Sequence, residues 1–400
     1  MRAVIIGNGL AGTMAAKTLR ELDSQVEVVV FAEEKYPYYP RPNLIEYVAG
    51  KLPYERIFAF SEDWHVRQKI DIRLGTPVRR IHPQSGEVEL DGGGREPYDT
   101  LLVANGASSF VPPIKGSATR GVFSLRTLDD AKAILDSLRD HRRVVVIGGG
   151  LLGLEIARAI RSQGAEVEVV EFFDRLLPRQ LDVQGASLLR SQVESLGIRV
   201  RLGVTTEEIL GPDEITRIRL KGGAEISADM AVVAAGVRPN LDLPRDAGLA
   251  ADRGLVVDDR LRTSHPRVFA AGDGIQHRGK VYGIIPASFD QARAAAYNML
   301  GQEKKYEGTI PANTLKVVGL YVTSLGLATP EGQGYEEIRK IKKEEGIYKK
   351  VVLQDGVLVG AIWIGTKKGI SEIARAVTAK IKVNQWINTL LDDSFDFSVL

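Results

Sequence analysis

Gly7, Gly9 and Gly12 stand in the spacing G-x-G-x-x-G, and Gly148, Gly150 and Gly153 repeat it. Glycines so spaced suit one kind of chemistry, the close approach of backbone to a pyrophosphate. The first makes a tight turn, the second removes the side chain that would keep a phosphate away, and the third lets a helix pack against the strand before it. The helix then presents free N–H groups and the positive end of its dipole to the phosphates. A carboxylate follows each triplet, Glu33 after the first and Glu171 after the second. Both lie roughly 20 residues on, the spacing at which an acid binds a ribose 2′-hydroxyl. With 41 glycines among 400 residues, a single triplet would carry little weight. Two triplets with the same surroundings predict two dinucleotide sites on one chain.

Those surroundings are strand, turn, helix, strand. Ala3 to Ile6 and Val144 to Ile147 are apolar, mostly branched runs, as expected of strands covered on both faces. Thr13–Leu22 and Leu154–Ser162 read as helices, and Val26–Ala32 and Val167–Val170 as the following strands. Residues 72–103 carry short strands with turns at "PQSG" and "DGGG", a β-meander pattern. "VPPIKG" at 111–116 breaks regular structure and marks a crossover between domains. Buried strands end at Gly106, Gly236 and Gly272, the last followed by Asp273. Ala287–Leu300 reads as a helix. From about Ile310 the pattern changes to a small α+β module, with Asp355-Gly356 joining two alternating strands.

Composition excludes other classes. The formal net charge of +2 favours neither nucleic acid nor an anionic membrane. No apolar run approaches about 18 residues, and Met1-Arg2 leads directly into a strand, so a soluble, cytoplasmic chain without a cleaved signal is expected. There are no cysteines, which removes disulfides, thiolate metal sites and a cysteine nucleophile. The five histidines are scattered with no pair at metal-ligand spacing, so no metal site is expected.

The order of first glycine triplet, "VANGA", second triplet, "VVAAGVRPN", "VFAAGDG" and C-terminal module resembles the two-dinucleotide-binding flavoproteins, of which the pyridine nucleotide–disulfide oxidoreductases are the best known. The resemblance covers essentially the whole chain. It implies an α/β fold of two Rossmann-like domains, with FAD in the first site and NAD(P)H in the second. It also implies an FAD domain interrupted by the NAD domain: residues 1–112, then 113–241 for NAD, 242–310 for FAD again, and 311–400 for the C-terminal domain. The FAD ligands it implies are Gly7, Gly9, Leu10, Ala11 and Gly12 of the turn, with Glu33, Val78, Ala104 and Gly106. To these it adds Arg41 and Pro42, and Gly272 and Asp273, the acid that would hold the ribityl chain. On the NAD side it implies Gly148, Gly150, Leu151, Leu152, Gly153, Glu171 and Gly236. Glu155, two residues past the second triplet, would lie near nicotinamide and flavin as the candidate catalytic residue; a solvated first-turn acid favoured by the helix dipole is the plainer reading.

Two departures from the family pattern narrow the expectation. The redox-active cysteines are absent, so electrons must leave the flavin directly. "RP" at Arg41-Pro42 is similar to the ferredoxin-, rubredoxin- and nitrite-reductase branch, but Ile45-Glu46 stands where that branch has Ser-Lys. The expected activity is an FAD-dependent NADH oxidoreductase that reduces a small electron carrier, rubredoxin first, with a homodimer as one assembly open to it. A nitrite reductase flavin subunit, an oxygen-using NADH oxidase and a signalling protein resembling apoptosis-inducing factor are the alternatives. Glu171, followed by Phe172 and Phe173 rather than a cation, favours NADH over NADPH, with Arg175 nearby as the opposing feature. "RKIKKEEGIYKK" at 339–350 has two readings: a docking patch for an acidic carrier, or lysines that block strand pairing at a solvated edge.

Overall fold

The computed structural model describes residues 1–309 and 312–400, with side chains for all of these except 312–316. The domain change expected at 310–311 therefore lies outside the described residues. The chain divides into two compact units: Met1–Leu44, Leu52–Ser108 and Val237–Thr309 form the first, and Ile45–Lys51, Ser109–Gly236 and Ile310–Leu400 the second.

The first unit is organised by a five-stranded parallel sheet in the order Val268–Ala270, Thr100–Val103, Arg2–Ile6, Glu27–Phe31, Ile70–Arg73. Its central strands are buried almost end to end, which explains their continuous apolar runs. The helices Leu10–Leu22 and Ile285–Met299 pack together and turn their alanines inward. The meander is shorter than the turn signals predicted. Only Val78–His82, Glu87–Leu90 and Arg95–Pro97 form it. Ile70–Arg73 instead pairs in parallel with Glu27–Phe31 and extends the main sheet, a pairing that local periodicity cannot reveal.

The second unit repeats the plan. Its parallel sheet runs Ile198–Arg201, Glu166–Val170, Arg143–Ile147, Met230–Val233, Val122–Phe123. A second three-stranded meander follows at Thr206–Leu210, Arg217–Leu220 and Glu225–Ser227. Residues 312–400 add an antiparallel sheet in the order Ala312–Val317, Leu320–Gly326, Val357–Ile364, Ile347–Gln354, Glu336–Lys342. Asp355 and Gly356 both have positive φ, +51° and +72°, as the tight primed turn between twisted strands requires.

The strand Ile347–Gln354 departs from the alternating pattern, because Tyr348 through Leu353 are all buried. Lys349 and Lys350 are each 1% exposed, and each has acidic company. Lys349 reaches Asp393 at 2.9 Å, and Lys350 reaches Glu337 at 2.8 Å and Asp182 at 3.2 Å. A lysine can be buried on those terms because its charge is paired and hydrogen-bonded. No helix among the described residues is long and apolar enough to cross a membrane.

Candidate functional site

The first glycine turn lies at the carboxyl end of the central strand Arg2–Ile6. Gly7 has φ +102°, and a Cβ there would sit 2.4 Å from the carbonyl oxygen of Ala104. A Cβ on Gly12 would sit 1.8 Å from the Gly7 oxygen. Gly9 is different: a Cβ there would meet nothing within 4 Å. Gly7 and Gly12 are thus required by packing, whereas Gly9 is required by nothing in the protein itself. The open space lies at the amino end of the helix Leu10–Leu22, which has no side-chain cap to take up its free N–H groups. Those are the features of an anion cradle, and they fit the pyrophosphate of a dinucleotide. Leu10 and Ala11 lie in this first turn.

The run Ala271 to Gly274 closes the same site. A Cβ on Gly272 would lie 3.0 Å from Ala11 Cβ, and one on Gly274 would lie 2.8 Å from the Gly106 oxygen. Asp273, half-buried, is therefore set between the helix start and Gly106. The Gly272 N–H donates to Gln291 Oε1 at 2.9 Å, and Ser288 Oγ stands 3.5 Å from Asp273 Oδ1. Asn105 and Asn240 exchange hydrogen bonds, each side-chain amide donating to the other's backbone carbonyl at 3.0 and 2.8 Å. These two bonds hold the turn that follows the strand Thr100–Val103.

The remaining first-site residues are more loosely gathered. Glu33 is exposed just beyond the strand Glu27–Phe31, and Val78 begins the meander two residues after Thr76, whose N–H donates to Ala32 at 2.8 Å. The neighbouring Glu34, not Glu33, pairs with Arg41 at 2.6 Å and accepts from Tyr39. Pro42 is exposed beside Arg41. Glu33 and Val78 thus lie just past the end of the strand Glu27–Phe31, with Arg41 and Pro42 joined to that region through Glu34.

The second turn repeats the first. Gly148 has φ +119° and faces the Ala234 oxygen, where a Cβ would sit at 2.4 Å. A Cβ on Gly153 would sit 1.9 Å from the Gly148 oxygen, and one on Gly150 would meet nothing within 4 Å. Gly150 caps the helix Leu151–Ser162 with no side-chain hydrogen bond. Gly236, at φ +104°, also borders open space. Both helices start three residues before the sequence pattern predicts, at Leu10 and Leu151, because Gly12 and Gly153 lie inside the first turn and weaken its helical signature.

Glu171 is only 6% exposed. One carboxylate oxygen accepts the Gly149 N–H, and the other accepts the Phe173 N–H at 2.8 Å. It holds the glycine turn itself, in addition to any part it takes with a ribose. Phe172 and Phe173, edge to face at 5.3 Å, are 64% and 51% exposed. Arg175 pairs with Asp174 and donates to the carbonyls of Pro178 and Leu181.

Glu155 is not a solvated first-turn acid. Its side chain is 15% exposed, one oxygen accepts the Val318 N–H at 2.6 Å, and the other receives Arg158 at 2.9 and 3.2 Å. Arg158 also reaches Glu46 at 2.8 Å. The sequence gives the spacing of Glu155 and Arg158, one turn apart, but holds no sign that Glu46 joins them from far along the chain. Gln291 was likewise invisible, since a single amide in an apolar helix carries no pattern, and Asn240, which closes the "VVAAGVRPN" motif, gave no sign of its bonds to Asn105.

The basic run at 339–350 is largely spent inside the C-terminal module. Arg339 reaches Glu337 and Asp182, Lys340 reaches Asp392, and Lys342 reaches Asp393 and Glu345. With Lys349 and Lys350 buried on acids, five of the six cations in this stretch are paired with carboxylates, which supports the structural reading, while Lys343 stays exposed. Among the described residues no group of three or more histidine or acidic side chains could hold a metal ion.

Comparison with known proteins gives the same picture. The model of the pyridine nucleotide-disulphide oxidoreductases matches residues 1–296, and that of the rubredoxin NAD+ reductase C-terminal domain matches residues 311–381. A nitrite reductase [NAD(P)H] of Bacillus subtilis is 34% identical over 90% of this chain, which spans only 45% of that relative's length. An NADH-rubredoxin oxidoreductase of Clostridium acetobutylicum is 30% identical over 92% of this chain and 93% of the relative. A ferredoxin reductase structure from Rhodopseudomonas palustris superposes with a TM-score of 0.90 at 26% identity, covering 100% of this chain and 99% of the other. Two glycine cradles, the interrupted first unit and these matches place the chain in the pyridine nucleotide-disulphide oxidoreductase family, whose nucleotides are FAD and NAD(H).

Proposed function

We propose that the chain takes hydride from NADH and passes electrons through FAD to a small one-electron carrier protein of the rubredoxin type. One observation carries this reading: a chain with both dinucleotide cradles and no cysteine matches an NADH-rubredoxin oxidoreductase over nearly its whole length. The family's thiol route is closed, so the acceptor must be served without a disulfide. When bound, FAD supplies the conversion between hydride transfer and single-electron transfer.

The chain's own residues have the following parts. The helix start at Leu10 holds the FAD pyrophosphate, Asp273 accepts a ribityl hydroxyl, and Glu33 faces the adenosine ribose. The helix start at Leu151 holds the pyrophosphate of NADH, and Glu155 faces the nicotinamide. Glu171 lines the adenosine end, where a 2′-phosphate would meet its carboxylate. At about 4 Å and an effective dielectric near 20, each such pair of charges repels by roughly 4 kcal/mol before screening. NADH is therefore the preferred donor.

The test is steady-state NADH oxidation by the FAD-loaded protein with rubredoxin, a [2Fe–2S] ferredoxin, oxygen or a disulfide as acceptor. Rubredoxin should give the highest turnover and the disulfide none. A second reading, delivery of electrons toward nitrite reduction, is favoured by the nitrite reductases at 34% identity. It predicts poor turnover with rubredoxin and efficient transfer to a separately supplied nitrite reductase haem domain. Fast turnover with oxygen alone would instead favour an oxidase, as the name of the 33% identical NADH oxidase of Methanocaldococcus jannaschii would have it.

A further inference from the structure

Along the helix Leu151–Ser162, Gly153, Leu154, Ile156, Ala157, Ala159 and Ile160 are buried. Leu151, Leu152, Glu155 and Arg158 are partly exposed, and 151, 155 and 158 share the i, i+4, i+7 spacing of one face. That face starts at Gly150, beside open space. From Leu151 it runs about 6 Å along the axis to Glu155 and about 4.5 Å more to Arg158.

Arg158 is the junction of the face. Its Nη2 and Nε donate to Glu155 Oε2 at 2.9 and 3.2 Å, and Nη2 also reaches Glu46 Oε1 at 2.8 Å. The other Glu155 oxygen is held by the Val318 N–H. Arg158 and Glu155 are 17% and 15% exposed, so their pair is sheltered, while Glu46 at 43% exposure forms the solvent-facing end of the cluster. Two carboxylates share one guanidinium, and the cluster carries one net negative charge. Without Arg158 it would carry two, and Glu155 would keep the Val318 N–H but lose the partner that fixes its second oxygen.

We infer that Arg158 is a positioning residue: it fixes the Glu155 carboxylate and limits the negative charge at the nicotinamide end, so that NAD+, whose nicotinamide ring is cationic, is not held too tightly relative to NADH, whose ring is uncharged. This rests on the reading that Glu155 faces the nicotinamide. The charge difference between the two nucleotides makes the inference measurable. A second uncompensated carboxylate attracts the cationic ring of NAD+ and leaves the uncharged ring of the reduced form almost unaffected.

The test is calorimetric titration of the FAD-loaded protein with NAD+ and with tetrahydro-NAD, the analogue whose ring is uncharged and gives up no hydride. The quantity read is the ratio of the two dissociation constants. Arg158→Gln should shift that ratio toward NAD+ by about threefold or more, the scale of one unit charge acting across a partly shielded site. Arg158→Lys, which keeps the cation, should restore the wild-type ratio. Glu155→Gln and Glu46→Gln should each shift it the other way, and Glu46→Gln combined with Arg158→Gln should return it toward wild type. A merely structural arginine would lower thermal stability and weaken both nucleotides alike. If Glu155→Gln moves the ratio and Arg158→Gln does not, the inference fails and the reading of Glu155 stands. If neither moves it, both fail. Should Arg158→Gln not fold, Glu46→Gln decides: an unmoved ratio overturns the inference.

Discussion

The glycines of the second turn divide into those the fold needs and one that only a ligand needs, and two alanine substitutions separate these roles. At Gly153 a new Cβ would lie 1.9 Å from the Gly148 oxygen, whereas real contacts stay beyond 3.0 Å. The helix and the turn would have to part by about 1 Å, and overpacking of that kind costs roughly 1–3 kcal/mol or more. At about 2–4 °C per kcal/mol for a domain of 150–250 residues, Gly153→Ala should lower Tm by several degrees and also displace the N–H groups that receive phosphate. Gly150 has φ −77° and ψ −179°, extended backbone that alanine adopts freely, and no neighbour for a Cβ. Gly150→Ala loses only the difference between glycine and alanine at a helix N-cap, of the order of 0.5–1 kcal/mol. Its methyl, however, would stand where the pyrophosphate approaches. We expect NAD+ affinity to fall at least tenfold, about 1.4 kcal/mol, with Tm nearly unchanged. Thermal denaturation and calorimetric titration of wild type and both variants give the comparison. Wild-type NAD+ affinity in Gly150→Ala would refute the assignment of this open space to the nucleotide.

Other consequences can be measured in the same preparation. Asp273→Ala should purify with less FAD than wild type, since removing a charged partner from a sheltered hydrogen bond costs about 1.5–3 kcal/mol; full occupancy, read from the flavin absorbance, would misplace this residue. NADH should exceed NADPH by at least about tenfold in kcat/KM, on the repulsion between Glu171 and a 2′-phosphate, and equal efficiencies would remove that argument. Burial works to raise the Asp182 pKa, but Tyr348, the Gly185 N–H and Lys350 outweigh it and hold the carboxyl below its ordinary 3.8. A depressed folded-state pKa gives stability that is complete above the unfolded value and is lost as pH falls toward the folded one. Asp182→Asn should therefore destabilise at neutral pH and flatten the decline below about pH 4–5, seen as urea midpoints against pH; parallel curves for the two proteins would contradict this. Lys342→Glu sets a carboxylate against Asp393, which Lys342 meets at 2.6 Å, so it should lower Tm while leaving the salt dependence of carrier reduction as in wild type. A selective loss of carrier reduction would reinstate the docking patch.

The glycine triplets, the apolar strands before them and the absence of cysteine were legible in the sequence because each is a local or compositional property. A strand covered on both faces must be apolar throughout, and a turn that packs a helix against that strand must be glycine, wherever the rest of the chain goes. The primed turn at Asp355-Gly356 is local in the same sense. Register and partnership are not. That Ile70–Arg73 joins the parallel sheet, that Lys349 and Lys350 are buried on Asp393, Asp182 and Glu337, and that Glu46 meets Arg158 all depend on segments far apart in sequence. A lysine-rich strand has the same composition whether it faces water or acids supplied from elsewhere. Charge pairing at these distances is decided by the tertiary fold, since only folding brings the opposite charges together and removes the water that would otherwise screen them.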